Sequence, residues 1–182
     1  LADASQFKID PIAENGAEIV KACEAMRHAA TLQYPVSHPH NPEITGPTIS
    51  GLTSAPNTPD THGRGAISVS SGAYMSGKVT GALDRSPCGT ATCAKMAVLH
   101  AKGLLKIGED YINAGPLGTT FTGNIVETTQ IGPFEAIIPT LSGRAWISGI
   151  SQYTPIRPIR FKRASLSGIF GAETKNAPHD FS

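Results

Sequence analysis

The sequence predicts an α+β fold in which an antiparallel sheet curls around a central helix. A stretch of small, apolar residues from Ala91 to Ala101 reads as a buried helix, and the segments after it alternate with the period of strands. Glycine and proline, 19 and 14 of 182 residues, favour short strands joined by turns. At that length one packed domain is the natural expectation.

Element by element, Asn15 and Glu18 have capping-box spacing, and Ile19, Val20, Cys23, Met26 and Ala30 recur at helical intervals, which predicts a first amphipathic helix over 15–31. From Tyr34 to Arg64 the chain is rich in Pro, Gly, Ser, Thr and Asn, so it reads as loop with one strand around Thr48 to Thr53. Ala66 to Ser71 alternates like a strand, and Gly72 to Leu83 reads as a Gly-rich connection. The second helix stops near Gly103, a natural residue just past a helix end. Thr119 to Thr129, Phe134 to Leu141 and Ala145 to Tyr153 then alternate, parted by Gly132-Pro133 and Ser142-Gly143, as an antiparallel meander does.

A net charge of +1 without any run of Lys or Arg gives no electrostatic case for nucleic acid or a membrane surface, so a small-molecule partner is expected. Three cysteines are too few and odd in number for a disulfide framework, which favours a reducing, cytoplasmic setting. No stretch has the length of a membrane span, and Leu1 to Ser5 have neither the basic region nor the apolar core of a signal peptide. The chain does not start on methionine, so it is expected to follow processing or to be part of a longer protein.

The chemistry concentrates at Cys88. In Asp84-Arg85-Ser86-Pro87-Cys88-Gly89-Thr90 it stands at the mouth of the second helix, where unpaired N–H groups and the positive end of the helix dipole favour thiolate over thiol. The same donors suit a substrate carboxylate. A cysteine acid–base beside a carboxylate seat points to the carbon next to that carboxylate, where an amino acid carries its α-proton. Cys23 and Cys93 read as core, and Trp146 and Phe121 as packing residues rather than contacts to a substrate ring. His38 and His40 lack a third group at ligand spacing, so no metal is expected. Asp84 and Ser86 are both good helix caps, and for Asp84 capping is the alternative to a binding role.

The Cys88 motif, with Ala94-Lys95-Met96-Ala97-Val98-Leu99-His100-Ala101-Lys102-Gly103, closely resembles the second active-site segment of the proline racemase family. So do Gly118-Thr119-Thr120-Phe121-Thr122-Gly123 and Ile138-Pro139 through Ser142-Gly143-Arg144-Ala145-Trp146-Ile147-Ser148-Gly149. The resemblance runs over 1–153 and covers the second half of a typical member. It implies a diaminopimelate epimerase-like fold of two pseudo-symmetric domains, each a sheet wrapped around a helix. It implies no cofactor and a two-base mechanism, with one cysteine from each domain facing the α-carbon of proline or hydroxyproline. Cys88 would be the second of these cysteines. Asp84 would contact the ring nitrogen, while Gly89 and Thr90 would hold the carboxylate through backbone N–H groups. Retention of cysteine at 88 favours a racemase or 4-hydroxyproline 2-epimerase over the 3-hydroxyproline dehydratase branch, which usually carries threonine. Ala91 departs from the family's usual glycine, a methyl that would crowd the turn.

The missing partner is then the first domain with the other cysteine, and the chain alone should be inactive or nearly so. An exposed cleft face would favour self-association, a homodimer included. Beyond Thr154 the family's acidic Asp-Pro repeat is replaced by Pro155-Ile156-Arg157-Pro158-Ile159-Arg160. Within codon degeneracy, one base restored in the first of these codons converts 155–165 to Leu-Asp-Pro-Thr-Asp-Pro-Phe-Gln-Glu-Gly-Phe. Residues 154–182 are therefore expected to be a frameshifted, poorly packed tail. A non-catalytic remnant of a disrupted gene is the competing reading.

Overall fold

The computed structural model describes residues 1–152. In chain order it contains β1 (Ala2–Asp3), α1 (Gly16–Gln33), β2 (Ser37–His38), β3 (Asn41–Thr45), β4 (Ile49–Ser54), β5 (Gly63–Ser70), β6 (Gly81–Asp84), α2 (Gly89–Ala101), β7 (Asp110–Ala114), β8 (Thr120–Ile131) and β9 (Phe134–Ser142). The main sheet runs β1-β4-β5-β7-β8-β9, with β6 also on β5, while β2 and β3 form a separate hairpin.

The sheet is mixed, not purely antiparallel. β1 pairs β4 and β5 pairs β7 in parallel; the other pairings are antiparallel. The parallel step needs a crossover, which β6 and α2 provide. One edge of β5 is shared between two partners: Gly63 and Arg64 pair β7, whereas Ile67 to Ser70 pair β6. The chain leaves the sheet at Asp84, inside this fork, and enters α2 there.

Side chains alternate across a strand, so β5 is covered twice. Ala66 packs with Ile19, Cys23, Leu52 and Ala4 on the α1 side. Ile67 packs with Cys88 and Ala91 of the α2 segment on the other. A third cluster, Met96, Leu105, Tyr111 and Ile125, seats α2 on the β7–β8 ladder. The two helices thus lie on opposite faces of β5. α2 is buried along one side only: Ala91, Thr92 and Met96 are covered, whereas Ala94, Val98 and Ala101 are exposed. The expectation of a buried helix wrapped by the sheet is corrected accordingly, because the strands of the described residues reach α2 from one side.

Several local expectations change for identifiable reasons. The first helix begins at Gly16 after a 3-10 turn at Ala13–Asn15, so Asn15 is already coiled (φ −89°, ψ 13°) and makes no side-chain cap. Its amide instead donates to the Asp10 carbonyl at 2.9 Å. The segment read as loop contains the β2–β3 hairpin, and the Gly-rich connection ends in β6, whose four residues are too short to show a period. β7 was missed for the same reason. The expected strand from Ala145 to Tyr153 is not formed over 145–152, and Trp146, Ile147 and Ile150 are exposed, so the packing role read for Trp146 does not hold. Alternation makes a strand only where a partner ladder exists. Residue 153 and the tail reading for 154–182 lie outside the described residues.

Other expectations are met. β4, β5, β8 and β9 appear near their expected places, and β8 and β9 pair antiparallel as expected, but the third strand of the meander is β7, which precedes them, rather than 145–153. Gly103 (φ 70°) ends α2 in a Schellman turn: its N–H donates to the His100 carbonyl at 2.8 Å, and Leu104 N–H to the Leu99 carbonyl at 2.9 Å. No helix among the described residues is long and apolar enough to cross a membrane.

Candidate active site

The fork in β5 places the turn from Asp84 to Cys88. The Asp84 carboxylate accepts the Ser86 N–H at 2.8 Å, and the Ser86 hydroxyl oxygen accepts the Cys88 N–H at 3.0 Å. Both good capping residues are therefore used inside the turn, and α2 has no side-chain cap. No side chain takes the first amides of the helix, and those of Thr90 and Ala91 act on the Cys88 sulfur.

Cys88 adopts φ 61° and ψ 109°, a left-handed backbone that a residue with a Cβ rarely takes. It is 8% exposed and packs against Ile67 and Ala91, with Ile49 nearby. The Ala91 methyl, anticipated as a crowding group, is absorbed into this apolar cluster. Gly89 lies close to the Leu141 side chain, since a Cβ on it would sit 3.4 Å from Leu141 Cδ1. Thr90 is exposed and Gly89 half-buried.

The thiol does not rest as the expected thiolate. Burial pushes the Cys88 pKa up; the Ala91 amide pulls it down, the Asp84 charge and hydrogen bond push it up, the Thr90 amide pulls it down, and the net direction is up. The helix mouth does act on the sulfur, but desolvation and a neighbouring carboxylate outweigh it. Cys88 is thus held as the thiol at neutral pH.

Two residues missed by motif reading underlie the turn. Thr92, fully buried, donates its hydroxyl to the Cys88 carbonyl at 2.8 Å. Asn113 of β7, also buried, donates its side-chain amide to the Pro87 carbonyl at 3.2 Å and to Thr92 Oγ1 at 3.0 Å. Gly115 abuts the same turn, because a Cβ there would lie 2.8 Å from Pro87 N and 2.9 Å from the Ser86 carbonyl carbon. The only local signal was a polar residue inside an otherwise apolar Tyr-Ile-Asn-Ala run, which points to a buried partner without naming it.

Of the other cysteines, Cys23 lies in the core as expected, whereas Cys93 does not. Cys23 is fully buried and burial pushes its thiol up to about 11. Cys93 is half-buried, with its thiol also raised by burial. Phe121 packs on Gly143, where a Cβ would approach its ring to 2.6 Å. The His38 ring accepts the His40 N–H at 3.2 Å, and the His40 ring accepts the Gly132 N–H at 3.3 Å, so this pair braces the β8–β9 turn. A groove of about 430 Å³ lies at the far end of α2, lined by Ala97, His100, Gln130, Glu135 and Ile137; none of Asp84, Cys88, Gly89 or Thr90 borders it.

A family model described as proline racemase matches residues 1–158. The chain belongs to the proline racemase family. Among relatives, the 4-hydroxyproline 2-epimerase of Streptosporangium roseum is 38% identical over 136 residues, which is 75% of this chain and 38% of that protein. The proline racemase of Clostridioides difficile is 34% identical over 152 residues, 82% of this chain and 42% of that protein. A solved hydroxyproline epimerase from Agrobacterium vitis, with trans-4-hydroxy-L-proline bound, superposes with a TM-score of 0.72 at 28% identity, covering 83% of this chain and 40% of that one. A probable proline racemase from Agrobacterium radiobacter, with carbonate bound, gives 0.70 at 28% identity over 86% of this chain and 43% of that one. The α+β fold of this chain thus matches one half of these structures, and the chain spans well under two thirds of the length of these members of the proline racemase family.

Proposed function

We propose that this chain is the second, cysteine-bearing domain of a cofactor-independent proline racemase or 4-hydroxyproline 2-epimerase. The carrying observation is Cys88, seated at the uncapped mouth of α2 beside Asp84 in a member of this family. In this reading the Gly89 and Thr90 amides hold the substrate carboxylate and Asp84 takes the ring nitrogen. The thiolate of the other domain breaks the Cα–H bond and takes the proton, while the Cys88 S–H gives its proton to the opposite face, leaving Cys88 as thiolate. The reverse turnover exchanges the two roles. Burial and Asp84 keep Cys88 protonated, which suits the delivering partner. Residues 1–153 form this domain, and the fold is one of two diaminopimelate epimerase-like halves.

The test mixes the purified chain with the first half of a relative such as the Streptosporangium epimerase and follows deuterium entry at the α-carbon of proline and trans-4-hydroxy-L-proline in D2O. Exchange with inversion by the pair, and none by either half alone, is the expected result. No exchange from a complex that demonstrably forms would defeat the reading.

The gene-remnant reading draws on the Pro-Ile-Arg repeat at 155–160, where the resemblance implies an acidic Asp-Pro segment, together with the half-length match and Ala91. Coding DNA read in all three frames should restore that segment after a single-base insertion near codon 155. Codons that resist this regrouping remove the out-of-frame explanation, and product analysis separates inversion from dehydration of 3-hydroxyproline.

A further inference from the structure

We infer that Asn113 and Thr92 are positioning residues for Cys88: a buried clamp of hydrogen bonds from β7 through α2 holds Cys88 in its left-handed backbone and so aims the first amides of α2 at the sulfur. This role presupposes that Cys88 is the proton-transfer thiol.

The geometry is directional. Asn113 Nδ2 has two donors, and both are used, on the Pro87 carbonyl at 3.2 Å and on Thr92 Oγ1 at 3.0 Å. Thr92 Oγ1, having accepted from Asn113, donates its O–H to the Cys88 carbonyl at 2.8 Å, with the Pro87 carbonyl also within reach at 3.3 Å, and the Cys88 carbonyl further accepts the Thr92 N–H at 2.9 Å. Two consecutive carbonyls, Pro87 and Cys88, are therefore fixed from beneath. Fixing them sets the peptide planes on either side of Cys88. Without that restraint a residue with a Cβ relaxes away from φ 61°.

Asn113 is placed by the sheet rather than by the turn. Its strand pairs with β5 at Gly63 and with β8 at Phe121. The turn is thereby registered to the centre of the sheet, and Gly115, packed on the Ser86–Pro87 backbone, leaves no room for it to slide. Both clamp side chains are buried, so their hydrogen bonds have no water to replace them.

Alignment of the amides has a measurable consequence. The Ala91 and Thr90 amides lower the thiol pKa, against burial and Asp84, which raise it. Asp84, from β6, is the charged group acting on Cys88; Ile49 of β4, Ile67 of β5 and Asn113 of β7 bring none. Releasing the clamp should remove the lowering contribution and move the thiol further up.

The experiment uses the unmodified chain length and follows iodoacetamide labelling of each cysteine by peptide mass spectrometry from pH 6 to 11. Thr92→Val and Asn113→Ala should each raise the Cys88 midpoint by about half a unit, slowing labelling at pH 8 by about threefold. The double variant should go no further than the larger single change, since both break one clamp. Thr92→Ser, which keeps the hydroxyl, should match the parent, and the Cys93 profile should not move in any of them. An unchanged Cys88 midpoint in natively folded Asn113→Ala, or faster labelling of Cys88 and Cys93 together, overturns the clamp. If Thr92→Val does not fold, Asn113→Ala must shift the midpoint and Thr92→Ser must not. This readout needs no catalysis, so its failure leaves the racemase reading standing, whereas failure of proton exchange removes the catalytic role and leaves only the clamp's effect on the thiol.

Discussion

A Cys88→Ser chain, paired with the first half of a relative, should lose inversion of proline or trans-4-hydroxy-L-proline by roughly a thousandfold, within the range expected for removing a general acid–base. The loss should be one-sided. The other domain's cysteine still meets its own face of the α-carbon, so deuterium should still enter the enantiomer whose proton points that way, without inversion. Serine has nearly the shape of cysteine and fits the pocket formed by Ile67 and Ala91, so the melting temperature should stay within a few degrees of the parent. Inversion retained within tenfold would show that Cys88 is not the proton donor. Loss of exchange for both enantiomers alike would mean that the substitution had disturbed the carboxylate seat rather than removed one base.

What the sequence made legible was the turn and helix that carry Cys88; what it did not was how they are held. The run from Asp84 to Thr90 announces a helix mouth with a cysteine on it, because Pro, Cys and Gly ahead of Ala91–Ala101 combine a turn, a thiol and a helix start. The left-handed φ of Cys88 is invisible in the sequence, since nothing local demands it. It is imposed by Thr92, one turn later, and by Asn113, on a strand that pairs with β5 only after the chain has crossed over through α2. Long-range contacts of that kind override local preference.

The charge state of the thiol shows the same division. Helix position alone predicts a lowered pKa, and the Ala91 and Thr90 amides do act in that direction. The outcome is set by burial against β5 and by Asp84, which acts on the sulfur because the tight turn between β6 and α2 returns Cys88 beside it. α2 itself was legible as a helix, down to its Gly103 stop, but not its half-exposed face. Small residues on every side of a helix do not record which side finds a partner. The strand at Ala145 to Tyr153 failed for the complementary reason: its alternation is clear, but pairing is a property of two strands.

The largest stability effect should come from Glu24, a carboxylate buried on the inner face of α1. It is fully covered, and it accepts hydrogen bonds from Arg27 at 3.1 and 3.3 Å, from the Ser70 hydroxyl at 2.8 Å and from the Ser68 hydroxyl at 3.2 Å. It therefore ties α1 to the β5 face opposite Cys88. Removing one member of a buried pair strands the others, and Glu24→Ala should cost about 3–5 kcal/mol. For a domain of this size that lowers the melting temperature by roughly 6–20 °C, at about 2–4 °C per kcal/mol.

The titration of Glu24 gives an independent check. Burial pushes its carboxyl up, but the hydrogen bonds from Arg27 and Ser70, the Arg27 charge and the Ser68 hydroxyl outweigh burial, and the net direction is down. A depressed folded-state pKa contributes stability that is fully present above the unfolded value, about 4.3, and is lost as the pH falls through the folded one. The parent chain should thus lose stability below about pH 4.5 faster than Glu24→Gln, which cannot titrate, and their melting temperatures should converge there. Parallel melting curves for the two across that range would show that Glu24 is not held as the anion. A Glu24→Ala chain as stable as the parent would show that the knot between α1 and β5 does not hold the sheet.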